Sequence, residues 1–288
     1  MLLMILLPAL AGILLPLVKS KQNKHLVTTI ALALEAMLAF IVLFSPERES
    51  VLFAMTDSLT VTLGVDKVSK LFVAIAAFGF LLVGIYAYQY LNHEENDDKF
   101  FSFFLLSLAA LVGMDFSRNL ITMYLFFEMI TLLSMPLVLH DRTQEAVRGA
   151  LKYLFYSVAG AFLALGCIFF LSRYCDSLDF VSGGTLNAEK AAGHTTLIQV
   201  AVFLGVVGFG AKAGMYPLHG WLPTAHPVAP APASAVLSGI IAKAGVLAII
   251  RVIYFTVGAD FLIGTWVQNA WLGLALLTVF MEIGRAHV

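Results

Sequence analysis

Four ionisable side chains lie within long apolar runs of this 288-residue sequence, at Glu35, Glu128, Lys212 and Lys243. If such runs cross a bilayer, each charge near the centre costs about 2.5–3.5 kcal/mol on insertion scales, so residues of this kind usually have a partner or a function. Carboxyl and amino groups both exchange protons, and burial favours their neutral forms. Proton transfer is therefore the chemistry that this set could perform.

Glu128 lies near the middle of NLITMYLFFEMITLLSMPLV, with no lysine or arginine within a helical turn. It must be protonated, face a wet cavity or pair with a cation from another helix, and a purely structural ion pair is the alternative. Lys212 lies between Gly210 and Gly214, five residues before Pro217. These residues favour close helix approach and a helix break, which membranes tolerate beside a cavity or inside protein. A snorkelling lysine near a helix end is the alternative.

Lys243 lies near the middle of ASAVLSGIIAKAGVLAIIRVIY, with no helix end within reach. Desolvation favours a neutral lysine and a nearby carboxylate opposes this effect, so we expect Lys243 to be a buried proton-exchanging group. His219 and His226 flank GWLPTA; their imidazoles suit proton transfer near neutral pH, and equally suit helix capping or holding the loop. Glu35 receives no role.

Composition sets the class of protein. The chain is 60% hydrophobic and 12% charged, about half the charge of a soluble domain. Apolar runs of roughly 18 or more residues predict an all-α polytopic membrane protein. A net charge of −1 gives no basic surface, so we expect no nucleic-acid partner. Cys167 and Cys175 show no metal-ligand spacing, so no metal or cofactor is expected and redox chemistry is assigned to a partner.

The apolar runs predict nine spans. Their approximate bounds are 2–18, 26–44, 68–90, 100–114, 118–139, 149–171, 197–218, 233–255 and 264 to the end. Alternation over 45–67 predicts a hairpin outside the membrane, and 172–196 is predicted to be a second outer loop. The predicted inner connections are 19–25, 91–99, 140–148 and 219–232. Basic residues in these connections, with Lys19, Lys21 and Lys24 in the first of them, place the N-terminus outside.

The last residues need a separate interpretation. IGRAHV is the translation of a common sequencing-adapter sequence, so we expect Ile283 to Val288 to be non-native, with the codon of Glu282 at the junction. The natural protein is accordingly expected to be longer.

The segments EMITLLSMPLV and AKAGMYPLHGWLPTAHPVAPAPASAVLSGIIAKAG, together with Val65 and Asp66 before the third span, resemble the antiporter-like membrane subunits of complex I. The same family supplies subunits of energy-converting hydrogenases and multisubunit Na⁺/H⁺ antiporters. The resemblance implies about fourteen helices with two inverted five-helix repeats, each holding a discontinuous helix. It places three helices in 1–99, the first repeat and its half-channel in 100–255 and the start of the second repeat in 256–282.

The resemblance also implies roles. Glu128 is similar to the essential glutamate of span five, Lys212 to the lysine paired with it, and Lys243 to the lysine that connects the half-channels. His219 and His226 would lie where protons enter from the cytoplasm. The expected function is proton translocation by a Glu–Lys–Lys relay in a redox-driven quinone oxidoreductase or hydrogenase complex, in which this chain is not catalytic alone. A cation/proton antiporter without redox chemistry is the alternative.

The expected setting is a prokaryotic plasma membrane, with other membrane subunits, lipid and protons or Na⁺ as partners. A scaffold that has lost transport is disfavoured, since it has no need of three intramembrane charges. A stand-alone substrate transporter is disfavoured because the break offers mostly Ala, Gly and Pro rather than a polar pocket.

Overall fold

The structure is a computed structural model that describes residues 1–54, 56, 59–91 and 97–285. Its main helices are α1 (Leu2–Leu14), α2 (Lys21–Leu43), α3 (Lys67–Tyr90), α4 (Asp97–Asp115), α5 (Leu120–Val138), α6 (Gln144–Tyr174), α8 (Thr195–Ala213), α10 (Ala231–Val236), α11 (Lys243–Ile250) and α12 (Trp266–Arg285). The minor elements are strands β1 (Arg48–Ala54) and β2 (Thr60–Val65), the one-turn helices α7 (Ala188–Ala191) and α9 (Leu222–Ala225), and 3₁₀ turns at Leu15–Leu17 and Ala259–Phe261.

Six helical segments in the described residues are long and apolar enough to cross a membrane. They are Lys21–Leu43, Lys67–Tyr90, Leu120–Val138, Gln144–Tyr174, Thr195–Ala213 and Ala231–Val257, and shorter apolar helices run over Leu2–Leu17 and Trp266–Met281. The helical membrane class predicted from composition is consistent with these segments. The count of nine spans and the inverted repeats stay predictions.

The hairpin expected within 45–67 is present. Strand β1 pairs antiparallel with β2, with Arg48 opposite Val65. Strand β1 is exposed along its length, whereas β2 is buried and packs on the start of α5, where Thr122 Oγ1 accepts a 3.0 Å hydrogen bond from the Thr62 amide. We call this end of the molecule the hairpin side.

Three predicted segments extend beyond the described residues, and residues 55, 57 and 58 of the hairpin segment 45–67 lie outside them. Residues 92–96 of the connection 91–99 lie outside them, as do residues 286–288 of the suggested adapter tail. The preceding residues 283–285 belong to α12.

Helix α8 lies between α6 and α11, and glycines allow the close approach on both sides. A Cβ built on Gly160 of α6 would lie 2.5 Å from the Gly208 carbonyl oxygen of α8. A Cβ on Gly245 of α11 would lie 2.5 Å from the Phe209 carbonyl oxygen. Small residues at such crossings bring helix backbones together, and here they fix the position of the C-terminal turn of α8.

The seventh span ends earlier than predicted. Helix α8 stops at Ala213 because Gly214 adopts a left-handed conformation with φ 83°, which a glycine C-cap adopts without a steric penalty. The expected break is therefore made by Gly214, and Pro217 lies in the loop beyond it. The predicted bounds 197–218 were wrong at their C-terminal end.

The eighth span is less regular than the predicted run 233–255. Between Ala231 and Val257, two π-helical segments, Leu237–Ile241 and Arg251–Val257, flank α11. Short π-helical insertions are uncommon and often occur at functional sites. Apolar periodicity over this segment gives no signal for them.

Candidate functional site

Lys212 lies in the last turn of α8 and is 1% exposed. Its Nζ donates hydrogen bonds to Thr131 Oγ1 at 2.6 Å and to the Tyr153 hydroxyl at 3.4 Å. The ammonium also lies 4.9 Å from the centre of the Phe127 ring, an attractive cation–π distance. The side chain is therefore turned into the protein between α5 and α6, and the snorkelling alternative is wrong.

Glu128 projects from α5 one turn before Thr131, and residues three apart on a helix share a face. Its side chain is half-buried, and its Oε1 atom is enclosed without a hydrogen-bond partner among the described residues. Lys212 acts on this carboxyl electrostatically. Among the described residues, no carboxylate oxygen lies within 4.0 Å of Lys212 Nζ. Glu128 and Lys212 are therefore neighbours without a direct ion pair.

Hydroxyl groups complete the surroundings of Lys212. Ser134 Oγ donates to the Ile130 carbonyl at 2.6 Å and lies 2.8 Å from the Tyr153 hydroxyl. Because the serine proton is already used, Tyr153 donates to Ser134 and accepts from Lys212. Sequence reasoning missed these groups, although Thr131 and Ser134 continue the helical stripe that begins at Glu128.

The loop after α8 packs back on this site. Trp221 Nε1 donates a 2.9 Å hydrogen bond to the Ala211 carbonyl, and its ring packs 4.8 Å from that of Tyr153. The Trp221 ring also lies 5.9 Å from the ring of His226, whose Nδ1 is 2.7 Å from Ser234 Oγ at the start of the next span. Tryptophan thus connects the histidine loop to the surroundings of Lys212, and we call this end the histidine side.

His219 lies in the same loop and is largely buried against Tyr216, with ring centres 5.3 Å apart. Its Nδ1 atom is enclosed and has no hydrogen-bond partner in the described ranges. Both histidines therefore occupy the loop that covers the break, as expected.

Lys243 and Glu35 do not contact the group formed by Glu128, Lys212 and the neighbouring hydroxyls in the described residues. Lys243 is exposed on the surface of this chain, and its Nζ donates to the Ser238 carbonyl at 2.9 Å. The expectation that Lys243 is buried was therefore wrong for this chain, because its side of the helix is not covered by another described element, and its place in the relay stays a prediction. Glu35 on α2 is fully buried, and neither of its oxygens has a hydrogen-bond partner among the described residues.

A second charged cluster lies on the hairpin side, and sequence reasoning missed it. Arg251 is 1% exposed and donates to both carboxylate oxygens of Asp66, at 2.6 and 2.9 Å. Arg118 also contacts Asp66, and the Arg251 guanidinium lies about 5 Å from the rings of Phe180 and Phe255. Arg251 was visible as a cation in an apolar run, but its partner is 185 residues away.

The charge state of Asp66 follows from these contacts. Burial acts to raise the pKa of its carboxyl, but the hydrogen bonds and charge of Arg251, the Ser69 amide and the charge of Arg118 together hold the pKa below its usual value. Asp66 also caps α3, accepting from the Ser69 amide at 2.8 Å. It is therefore an ionised anchor that connects the hairpin, α3 and the end of the eighth span.

Similar proteins support one family. Residues 117–286 match the family described as NADH:quinone oxidoreductase/Mrp antiporter, TM. The chain is 34% identical over 196 residues to hydrogenase-4 component B of Escherichia coli (strain K12), covering 66% of this chain and 28% of that protein. It is 30% identical over 192 residues to a Na(+)/H(+) antiporter subunit of Bacillus subtilis (strain 168), covering 67% and 38%.

A third relative is an NADH-quinone oxidoreductase subunit of Desulforudis audaxviator (strain MP104C), 30% identical over 201 residues that cover 69% of this chain and 40% of that protein. The chain thus spans less than half the length of each of these three relatives.

Two solved structures share the fold. A chain of the archaeal membrane-bound sulfane sulfur reductase, a respiratory membrane complex, aligns with TM-score 0.80 at 22% identity, covering 96% of this chain and 57% of that chain. A chain of the Mrp complex from Dietzia sp. DQ12-45-1b aligns with TM-score 0.74 at 20% identity, covering 86% and 27%. The family match covers more than half of this chain and includes Glu128, Lys212 and Lys243, so the chain belongs to the NADH:quinone oxidoreductase/Mrp antiporter transmembrane family.

Proposed function

We propose that this chain is a proton-translocating membrane subunit of a redox-driven complex, either a quinone oxidoreductase that takes electrons from NADH or ferredoxin, or a membrane-bound hydrogenase. The observation that carries the proposal is Lys212, a buried ammonium that has no carboxylate within ion-pair distance in the described residues and lies beside Glu128. Electron transfer is assigned to partner subunits, and the chain is not catalytic alone.

The proposed step is a change in the charge of Glu128 that alters how strongly Lys212 holds its proton. An ionised carboxylate nearby stabilises the ammonium, and a neutral carboxyl removes that stabilisation from a desolvated site. Tyr153 and Thr131 accept hydrogen bonds from the ammonium and donate onward to acceptors of their own. These hydroxyls therefore stabilise the charge on Lys212, and the released proton leaves by another route.

In the proposed relay that route leads to Lys243, which begins α11 beside α8. No direct hydrogen bond connects the two amines in the described residues, so transfer between them requires bridging water. His219 and His226 are proposed to take up protons on the histidine side. The ring of His226 is connected to Lys212 through the Trp221 and Tyr153 rings, whereas the ring of His219 packs on Tyr216.

The proposed setting is a prokaryotic plasma membrane with the N-terminus outside. Residues 100–255 would form the first half-channel, and 256–282 would begin the second repeat. Other membrane subunits would adjoin this chain, and lipid would cover the remaining apolar surface.

A cation/proton antiporter subunit without redox chemistry is the second candidate. It is favoured by the 30% identity to the Bacillus subtilis antiporter subunit and by the shared fold with the Mrp complex. The two candidates use the same residues, so the driving reaction separates them. Acidification of vesicles on addition of an electron donor supports the first, and acidification driven by a Na⁺ gradient alone supports the second.

The relay is tested in membrane vesicles that contain the assembled complex, with a pH-sensitive dye as the readout. We expect Glu128→Gln and Lys212→Ala each to abolish proton movement while assembly persists. Exposed Glu189 and Lys190 on α7 supply matched controls, and Glu189→Gln and Lys190→Ala should leave movement unchanged. Normal proton movement per turnover in an assembled Glu128→Gln or Lys212→Ala complex would show that the assignment is wrong.

A further inference from the structure

Asp115, at the end of α4 on the hairpin side, is a buried acid that the proposed relay does not use. Its side chain is 1% exposed, and both carboxyl oxygens are enclosed without a hydrogen-bond donor among the described residues. An ionised carboxylate in such a place would lose its hydration without gaining a hydrogen bond from the protein, which is energetically costly. A protonated carboxyl avoids most of that penalty.

Arg251 is the charged group that acts on Asp115 electrostatically within the described part of the chain. Its guanidinium is committed to Asp66, which also receives Arg118 and the Ser69 amide. The Asp66 carboxylate therefore accepts hydrogen bonds from three residues, while the Asp115 carboxyl accepts none from the described residues. Arg118 and Ser69 would still hold Asp66 if Arg251 moved part of its hydrogen bonding to Asp115.

The backbone at Arg251 is suited to such a change. Arg251 begins the π-helical segment Arg251–Val257, and its guanidinium lies against the rings of Phe180 and Phe255 rather than in a cage of fixed polar groups. Segments of π-helix are local departures from α-helical bonding that recur at functional sites. Neither ring contact is a directional hydrogen bond, so the bonds to Asp66 alone fix the orientation of the guanidinium.

Several other ionisable groups lie on the hairpin side, around Asp115 and Arg251. Helix α1 and strand β2 pack near the end of α4 and contribute no ionisable side chain. The remaining ionisable groups on the hairpin and on the facing turns of α3 and α5 are exposed Arg48, Glu49, which lies 3.5 Å from Arg118, exposed Lys67, Lys70 bonded to the Ser45 carbonyl, Tyr124 and Glu128. The α-amino group of Met1, which precedes α1, interacts electrostatically with Arg48.

We propose that Asp115 is a proton-binding site separate from Glu128 and Lys212, and that Arg251 controls its occupancy by dividing its hydrogen bonds between Asp66 and Asp115. With Arg251 on Asp66, Asp115 holds a proton. When Arg251 turns to Asp115, the carboxylate forms and the proton leaves. Proton binding by Asp115 stands independently of transport, whereas its use as a hairpin-side station rests on the proposed function.

The test uses dicyclohexylcarbodiimide, an apolar reagent that forms a stable N-acylurea with protonated carboxyl groups in membranes. The protein is treated in its native membrane over a range of pH, and the modified peptides are quantified by mass spectrometry. We expect a label on Asp115 and none on Asp66, with the Asp115 label lost in Asp115→Asn. An unlabelled Asp115 at all pH values, with Glu35 or Glu128 labelled in the same sample, would overturn the proposal.

The role of Arg251 is tested with Asp66→Asn, which frees the guanidinium. An opposite charge brought within hydrogen-bond distance favours ionisation by about one to three pH units, so the Asp115 label should disappear at a correspondingly lower pH. Arg251→Gln should preserve the label to higher pH. An unchanged labelling profile in both variants would exclude Arg251 as the controlling group.

Infrared difference spectra provide a measurement that leaves both Asp66 and Arg251 unsubstituted. A carbonyl band of a protonated carboxyl, shifted in D₂O, should be present in the unsubstituted protein and absent in Asp115→Asn. Its persistence in Asp115→Asn at full intensity would contradict the proposal. Neither measurement depends on proton pumping, so a failure of the transport proposal would leave these results interpretable.

Discussion

The ammonium of Lys212 lies 2.6 Å from Thr131 Oγ1, one turn along α5 from the carboxyl of Glu128. Lys212 thus donates its short hydrogen bond to the neutral Thr131 hydroxyl and not to the carboxyl of Glu128. A neutral partner lets the strength of the electrostatic coupling vary with the charge of Glu128, without a salt bridge that must first be broken.

The first prediction concerns Thr131. Thr131→Val removes the acceptor closest to Lys212 Nζ and keeps the shape of the side chain, so about 1.5–3 kcal/mol of stabilisation of the ammonium should be lost. We expect proton movement in vesicles to fall at least tenfold while the assembled complex persists.

Thr131→Ser is the matched control, because it retains the hydroxyl and should keep most of the activity. Equal activity in the valine and serine variants would exclude a role for this hydrogen bond.

The second prediction concerns the Asp66–Arg251 pair. Removing one partner of a buried pair typically costs about 3–5 kcal/mol, so Asp66→Asn should lose up to this amount, reduced by any pairing of the freed Arg251 guanidinium with Asp115. We expect a clear loss of thermal stability, measured by unfolding of the purified protein in detergent.

Glu49→Gln provides the comparison on the same side of the molecule. Glu49 is 68% exposed and lies 3.5 Å from Arg118, and exposed pairs of this kind contribute about 0–1 kcal/mol. Similar unfolding temperatures for the two variants would contradict the assignment of Asp66 as a buried anchor.

The third prediction is a pH dependence of stability. The pKa of Asp66 is held below its ordinary value of 3.8, so its ionised form stabilises the folded state above that pH, and this contribution is lost as pH falls through the lower folded value. Unfolding temperature should therefore decline below about pH 4 more steeply in the unsubstituted protein than in Asp66→Asn. Parallel curves for the two proteins would rule out this source of acid sensitivity.

The fourth prediction concerns the contact between α6 and α8. A Cβ on Gly160 would lie 2.5 Å from the Gly208 carbonyl oxygen, whereas a Cβ on Gly166 of the same helix meets nothing within 4 Å. Gly160→Ala should cost about 1–3 kcal/mol through overpacking, and should displace Lys212. Gly166→Ala should be neutral or stabilise by up to about 1 kcal/mol.

Unfolding temperature and proton movement should be measured for both glycine variants. Gly160→Ala should lower both quantities, whereas Gly166→Ala should leave proton movement unchanged and the unfolding temperature unchanged or higher. A Gly160→Ala protein as stable and active as Gly166→Ala would show that the helices do not approach as closely as described.

Local signals made much of the fold predictable. Long apolar runs predict most of the helices, alternation predicts the hairpin, and Gly214 with Pro217 predicts a break near Lys212. The π-helical segments lie beyond such reasoning, because apolar composition is the same in an α-helix and in a π-helix.

The site was only half predictable. Glu128 and Lys212 are conspicuous as charges in apolar runs, but burial of Lys212 and exposure of Lys243 depend on which helix faces pack together. Tyr153 approaches from a third helix, and Arg251 meets Asp66 across 185 residues. Such contacts are set by tertiary packing and have no spacing in the sequence that reports them.

The early end of α8 has an electrostatic consequence for Lys212. The aligned peptide dipoles of a helix leave about half a negative charge at its C-terminus, which stabilises a cation in the last turn by about 0.3–2 kcal/mol. Lys212 occupies that turn because Gly214 stops the helix two residues later. The interruption thus supplies a backbone counter-charge beside Lys212 that is permanent, whatever the charge of Glu128.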